Sequence, residues 1–320
     1  MVFHLILETM TRYAAIEGGG TKWVAAICEG EPWNIVEKAE FETVSNPSET
    51  LTNVKNWLLT KSFDSIGVAS FGPIDANQKS DKYGFITSTP KVGWRDTDVL
   101  RLLGVYDEFK TKPFLFDTDV NAPALAEYKY GLKLNENGKS TQSSCAYITI
   151  GTGVGVGLII NQQSVKGLLH PEAGHISVRP CSGDELYEGS CPFHGTCIEG
   201  MCSIGSLAKR LNCKKSELPS IPDDHEVWDK CSYYIAQLCL NLTLIASPER
   251  ISIGGGVLKR SSLFPRIRAH FIRLLNEYVQ HPLLTSGNID TYICEPVWKD
   301  EAGIVGAAYL ALVALENGRN

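Results

Sequence analysis

Asp119 stands in the run DTDVNAPALAEYKYG, from Asp117 to Gly131. Asp117 and Asp119, followed by the amide of Asn121, place a proton acceptor beside an orienting group. Such a carboxylate can take the proton of a substrate hydroxyl as its oxygen attacks an electrophile. The plainer alternative is that one aspartate caps the next helix and the other is solvated. A second set of residues lies downstream: His175, then Cys191-Pro-Phe-His194-Gly-Thr-Cys197. C-x2-H-x2-C with a histidine upstream is the spacing of a metal knuckle, and two thiolates with two imidazoles suit tetrahedral Zn²⁺. Four protein ligands close the coordination shell, so this zinc is expected to be structural. Cys181 and Cys202 flank the knuckle as alternative ligands, and a chance cluster in a cysteine-rich chain is the bland reading.

Three glycine-rich turns suggest a different chemistry. Glu17-Gly18-Gly19-Gly20-Thr21-Lys22 lies between two strand-like runs and reads as a hairpin turn. Without side chains there, backbone N–H groups can cradle a phosphate. Thr21 adds a hydroxyl, Lys22 a charge and Glu17 a Mg²⁺ contact, direct or through water. Gly151-Thr152-Gly153-Val154-Gly155-Val156-Gly157 repeats the arrangement, with strand Leu158–Ile160 after it. A dinucleotide fold would need a helix at that point. Gly254-Gly255-Gly256 is the third turn, flat enough to lie against an adenine or ribose. A ligand-free glycine hairpin remains the alternative for the first.

The elements that must position these residues follow from periodicity. Strands are expected at Tyr13–Ile16, Trp23–Ile27, Ser65–Ser70, Pro113–Phe116, Ala146–Ile150, Arg250–Ile253 and Thr291–Ile293. Helices are expected at Thr50–Leu59, Ala122–Tyr128, Glu226–Ala246, Arg266–Val279 and Ala302–Leu315. The last, AGIVGAAYLALVAL, has residues small enough to pack closely at a domain junction, or to be an ordinary core helix. Thr87 to Trp94 reads as a hydroxyl-rich loop with an exposed tryptophan suited to a polyol; a packed tryptophan is the alternative. Asn135–Ser144 reads as a surface loop. Val2–Leu7 is an apolar patch without a positive leader, read as an extra strand or an extension.

Composition narrows the class of partner. At 320 residues the chain can bury two cores. A net charge of −6 without a basic tract argues against nucleic acid and anionic membranes as partners. No apolar run reaches the roughly 18 residues of a transmembrane helix. Of ten cysteines, Cys28, Cys145, Cys231 and Cys239 lie in apolar surroundings and read as reduced core residues. A reducing compartment, the cytoplasm, follows, and the sequon at Asn241 is then inert.

Taken together, IEGGGTK, FGPID, STPKVGW, DTDVNAPALAE, GTGVGVGL, HPEAGH, CPFHGTCIEG, IGGGV and AGIVGAA make the chain resemble the ROK family of sugar kinases, from about Tyr13 to Leu315. The fructokinase branch is the nearest, because the knuckle reads CPFHGTC rather than the CxCGxxGC of the glucokinase type. The resemblance implies an α/β fold of two ribonuclease-H-like (actin-like ATPase) lobes around a deep cleft. The lobes would span 1–125, with helix 302–318 packed back on it, and 126–301, with the zinc loop. Asp119 would be the catalytic base. Gly72, Asn121, Glu172, His175 and Glu199 would lie at or near the sugar. Gly19, Gly20, Thr21, Lys22, Thr152, Gly153, Gly205, Gly255 and Gly256 would hold ATP. His175, Cys191, His194 and Cys197 would hold zinc and so shape the sugar pocket. The chain departs from the family after CIEG, where fructokinases read like ASGPA and this chain reads MCSIGSLAK, and again in 212–225.

The implied reaction is transfer of the ATP γ-phosphoryl group, with Mg²⁺, to D-fructose, giving fructose 6-phosphate. The partners expected are a small sugar and ATP, with no nucleic acid and no membrane, in a homodimer. Two rivals use the same parts. One is a broad-specificity hexokinase acting on mannose or glucose. The other is a non-catalytic sugar-sensing protein, which would carry a helix-turn-helix ahead of the kinase-like part; the dozen residues before the first glycine loop cannot hold one.

Overall fold

The computed structural model describes residues 10–131 and 143–318. The Val2–Leu7 patch and most of the Asn135–Ser144 loop lie outside the described residues. The chain divides into two units, 1–122 with 303–320, and 123–302.

In the first unit, β1 (Arg12–Gly18), β2 (Lys22–Glu29) and β3 (Ile35–Glu42) form an antiparallel meander. Helix α1 (Pro47–Leu59) follows, with Asn46 accepting the Ser48 amide at its start. β4 (Ser65–Ser70) then pairs parallel to β1. A small hairpin of β5 (Phe85–Ile86) and β6 (Thr97–Asp98) leads into the short α2 (Val99–Leu102). β7 (Phe114–Thr118) pairs parallel to β4 and runs into α3 (Asn121–Tyr130). The sheet order is β3-β2-β1-β4-β7.

The second unit repeats that scheme. β8 (Cys145–Ile150), β9 (Val154–Ile160) and β10 (Gln163–Ser164) are again an antiparallel meander. Helices α4 (Ile198–Cys202), α5 (Ile204–Leu211) and α6 (Glu226–Ala246) follow. β11 (Ile251–Gly254) pairs parallel to β8. After α7 (Leu263–Leu275) and α8 (Ile289–Tyr292), β12 (Ile293–Cys294) pairs parallel to β11. The order β10-β9-β8-β11-β12 is that of the first sheet, element for element.

Both cores come from period-two and 3.6-residue patterns visible in the chain. Ile16, Ile27, Ile66, Val68 and Phe116 of the first sheet bury against Leu51, Val54 and Leu58 of α1. Val154, Val156 and Leu158 alternate into the second core with Trp228, Ile235 and Leu242 of α6. α9 (Ala302–Gly318) lies directly on β4, since any Cβ at Gly67 would run into the Ala307 backbone. Its small residues make that approach possible.

Three expectations are corrected, and one open choice is decided. Trp94 is fully buried. Its indole stacks on Trp23 at 5.6 Å and its N–H donates to Val44 O at 2.7 Å, so the 87–94 loop shows hydroxyls but no exposed ring. The second glycine turn is shorter than expected, because Gly155 and Gly157 pair with Thr149 and Tyr147 inside β9. Thr291 and Tyr292 close a helical turn, the Thr291 amide and hydroxyl both donating to Asn288 O; only Ile293–Cys294 is strand. α7 begins at Leu263 and stops before Asn276, whose left-handed backbone (φ 48°) ends the helix.

Candidate functional site

In the first unit the carboxyl ends of β1, β4 and β7 come level. Gly18 lies opposite Ser70, and Ser70 opposite Thr118. Open α/β sheets bind their ligands at such an edge. Just beyond it lie the Gly19–Lys22 turn, Phe71-Gly72-Pro73 and Asp119. Backbone bonds lock the three together: Phe71 N donates to Gly18 O at 2.8 Å and Asp119 N to Ser70 O at 2.9 Å.

The two aspartates have different tasks. Asp117 is buried, and its Oδ1 accepts the Thr118 amide at 2.8 Å and Asn121 Nδ2 at 2.9 Å. Thr118 Oγ1 accepts the Asn121 amide at 2.9 Å. Asp117 therefore holds the strand-to-helix turn, and one of the Asn121 donors is spent on it. Asp119 is only partly covered, at the mouth of that turn.

The glycines of the first turn separate by cause. A Cβ on Gly18 would stand 2.5 Å from the Trp23 ring, so packing demands glycine there. At Gly20 a Cβ would meet nothing within 4 Å, so packing makes no such demand and a ligand would. Thr43 braces this turn, its hydroxyl on Gly19 O at 2.8 Å and its amide on Thr21 O at 3.0 Å. Sequence reasoning missed Thr43; its place at the end of an alternating strand was the available signal. Lys22 reaches Glu40 at 2.5 Å on the exposed edge.

Glu17 ends β1 beneath this turn, and a side chain at Gly303 of α9 would run into its carboxylate. Burial pushes its pKa up to about 7, against the pull of Lys22 and Lys38. A carboxyl raised on folding adds stability below its unfolded pKa and loses it as pH rises through the folded value. The free protein is therefore expected to lose on the order of 2 kcal/mol between about pH 4.5 and pH 7 through this group, after discounting for partial exposure. Glu17→Gln should flatten that part of the curve and be more stable than the parent at pH 8. Denaturant midpoints against pH, without Mg²⁺ or ATP, check this; parallel curves for the two proteins would refute it.

The second unit gathers the remaining sites. Ile204 N donates to Gly151 O at 2.9 Å, bringing the start of α5, with Gly205, to the β8–β9 turn. Gly255 (φ 92°) packs so tightly on Ile150 that a Cβ would lie 2.5 Å from its carbonyl oxygen. Gly256 faces Ile204, where a Cβ would stand 3.3 Å from Cδ1. Thr152, Gly153, Gly205, Gly255 and Gly256 thus converge. Val154 joins them: its amide donates to Glu199 Oε2 at 3.1 Å. Val154 stands inside the second glycine-rich run, but nothing in the sequence pointed to its bond with Glu199.

Glu172 precedes the 3-10 turn Ala173–His175 and its carbonyl accepts the His175 amide at 3.0 Å. That turn sits on β9, for a Cβ at Gly174 would strike Val154 O. Desolvation, with the charge of Glu199 second, pushes the Glu172 carboxyl up to about 7. Glu172, His175 and Glu199 are therefore neighbours.

His175, Cys191, His194 and Cys197 place their ligand atoms within 4.8 Å of one another. Cys197 Sγ and Cys191 Sγ lie 3.5 and 3.7 Å from His175 Nδ1, and Cys191 Sγ lies 3.8 Å from His194 Nδ1. Ligands about 2.0–2.3 Å from one ion at tetrahedral angles stand roughly 3.3–3.8 Å apart, so the set fits a four-coordinate metal. Burial pushes the Cys197 thiol up to about 11, so a cation is what would keep it a thiolate. Cys202 is outside the cluster, its thiol donating to Ile198 O, and neither it nor Cys181 belongs to the set.

A duplicated five-stranded α/β scheme with glycine turns at the strand ends is the architecture of the actin-like ATPase fold. The ROK family model matches residues 13–314, and the chain belongs to the ROK family. It is 39% identical over 301 residues to the fructokinase of Lactococcus lactis subsp. cremoris, covering 93% of this chain and 96% of that one. It is also 39% identical over 309 residues to the fructokinase of Streptococcus mutans, covering 95% and 96%. Its fold is that of the ROK family glucokinase from Streptomyces griseus in complex with glucose and AMPPNP, with a TM-score of 0.71, 21% identity, and 95% and 99% of the chains covered. Among the described residues no helix is long and apolar enough to cross a membrane.

Proposed function

We propose that the chain is an ATP-dependent fructokinase, phosphorylating D-fructose to fructose 6-phosphate. Near-full-length similarity to curated fructokinases carries the reading. Asp119 at the level strand ends supports the chemistry. Its carboxylate accepts the proton of the sugar 6-hydroxyl as that oxygen bonds to the γ-phosphorus and the bond to ADP breaks. Gly72 and Asn121 lie on the same edge as Asp119 and would orient the sugar; Glu172, His175 and Glu199 form a second polar group for its hydroxyls. Amides of the Gly19–Lys22 and Gly151–Gly153 turns would hold phosphate oxygens, and Gly255–Gly256 with Gly205 the nucleoside. Mg²⁺, bound with ATP, would neutralise charge developing on the phosphates, and Glu17 would be a carboxylate available to hold it, directly or through water. Zinc is the ion that the Cys₂His₂ set suits best, as a structural metal.

The reading includes a homodimer, to be checked by sedimentation, and a cytoplasmic location. ADP release measured with fructose, mannose and glucose tests the substrate. The expected result is the highest kcat/KM with fructose. A kcat/KM for glucose or mannose equal to or above that for fructose would replace it with the broad-specificity hexokinase.

A further inference from the structure

We propose that Glu199 is a specificity-determining residue that directs phosphate to sugar rather than water, by occupying the β8–β9 turn until a sugar claims its carboxylate. The inference rests on the fructokinase reading.

Glu199 lies in the first turn of α4, two residues after the metal ligand Cys197. Its Oε2 accepts the Val154 amide at 3.1 Å and lies 2.6 Å from where a Cβ on Gly153 would stand. The turn beneath it is closed by Gly151 N on Gly153 O at 2.9 Å and is fixed to α5 through Ile204. An amide aimed out of a glycine turn is an anion-binding group. Here the anion it holds is a side chain of the protein itself. The carboxylate so held lies over Gly153, in the turn that the fructokinase reading gives to phosphate, and like charges at such range repel.

The carboxylate has a second place to go. The Ala173–His175 turn packs on the same Val154, so Glu172 and His175 border the space beside Glu199. A polyol lodged there offers hydroxyl donors that replace the Val154 N–H. Sugar binding would then free the amide and clear the negative charge from the turn. Linkage makes the effect reciprocal: sugar tightens nucleotide binding, and nucleotide tightens sugar. ATP hydrolysis without sugar should therefore stay low in the parent protein.

The test is equilibrium binding of AMPPNP with Mg²⁺ to the full, metal-replete chain, with and without fructose. In the parent, saturating fructose should tighten AMPPNP binding about tenfold, within the usual range of coupling. In Glu199→Ala the sugar-free affinity should rise by a similar factor, and sugar-independent ATP hydrolysis should rise with it. Glu199→Gln keeps the shape of the side chain and carries the same expectation, even where Ala disturbs the metal loop. A residue that only binds sugar would leave sugar-free AMPPNP affinity untouched. Equal or weaker sugar-free affinity in both variants overturns the proposal. If the parent phosphorylates fructose and that happens, only the role of Glu199 falls; if the parent phosphorylates no hexose, the kinase reading falls first.

Discussion

Asp119→Asn is expected to lower kcat for fructose phosphorylation by roughly a hundred-fold or more, the usual worth of a general base. A hundred-fold corresponds to about 2.7 kcal/mol of transition-state stabilisation. Asparagine has the same shape, and the backbone bond from residue 119 to Ser70 O at 2.9 Å is retained. On the proposed mechanism, what is removed is the acceptor for the 6-hydroxyl proton. Fructose affinity should largely survive, so the loss should appear in kcat rather than in binding. Stopped-time ADP release and calorimetric fructose binding on the purified variant measure the two separately. Turnover near that of the parent would exclude Asp119 as the base. The neighbouring aspartate gives an internal contrast. Asp117 is buried and accepts from Thr118 N and Asn121 Nδ2, so its loss should lower stability along with activity.

The roles of these two residues show what sequence could reach. The strand, the turn and α3 were legible from Pro113-Phe-Leu-Phe116 and the alanine-rich run, because those patterns report burial and helix periodicity directly. Which aspartate braces the turn was not, because both share the same local spacing and only the fold reveals which one Asn121 meets. The Cys/His cluster was legible for the opposite reason: a knuckle is a local spacing problem, and the chain brings Cys191, His194 and Cys197 together within seven residues. Trp94 allows two readings from sequence, because a hydroxyl-rich loop suggests exposure and the ring suggests burial. Its burial depends on Trp23, Phe71 and Val44, which are distant in sequence. The bond of the Glu199 carboxylate to the Val154 amide was invisible for that reason too: a contact across 45 residues leaves no periodic trace. Equal sheet topologies in the two units explain why two glycine hairpins alone suggested a repeat, although the strands around them share no repeated sequence.

Cys191→Ala is expected to abolish stoichiometric metal binding and, with it, the order of the sugar-side loop. Elemental analysis of the parent should find about one Zn per chain, as one four-ligand site implies. Cys191 contacts both histidines of the set, at 3.7 Å to His175 Nδ1 and 3.8 Å to His194 Nδ1, so its removal leaves no tetrahedral shell. Metal binding and folding of such loops are linked, and the variant should melt roughly 5 °C or more below the parent. The loss should remain local. Asp184, farther back in the same segment, is held by Arg210 and by Tyr234 OH, the latter at 2.5 Å, and these contacts do not involve the metal ligands. Far-UV circular dichroism should therefore change little. Fructose affinity should fall severalfold more than AMPPNP affinity, because His175 belongs to the proposed metal set and the Glu172 carbonyl holds its amide at 3.0 Å. A chelator should reproduce these effects slowly in the parent, and added Zn²⁺ should reverse them. The opposing view is that the four residues are free thiols and imidazoles in a protein whose only metal comes with ATP. A metal-free preparation that is fully active and equally stable would establish that view.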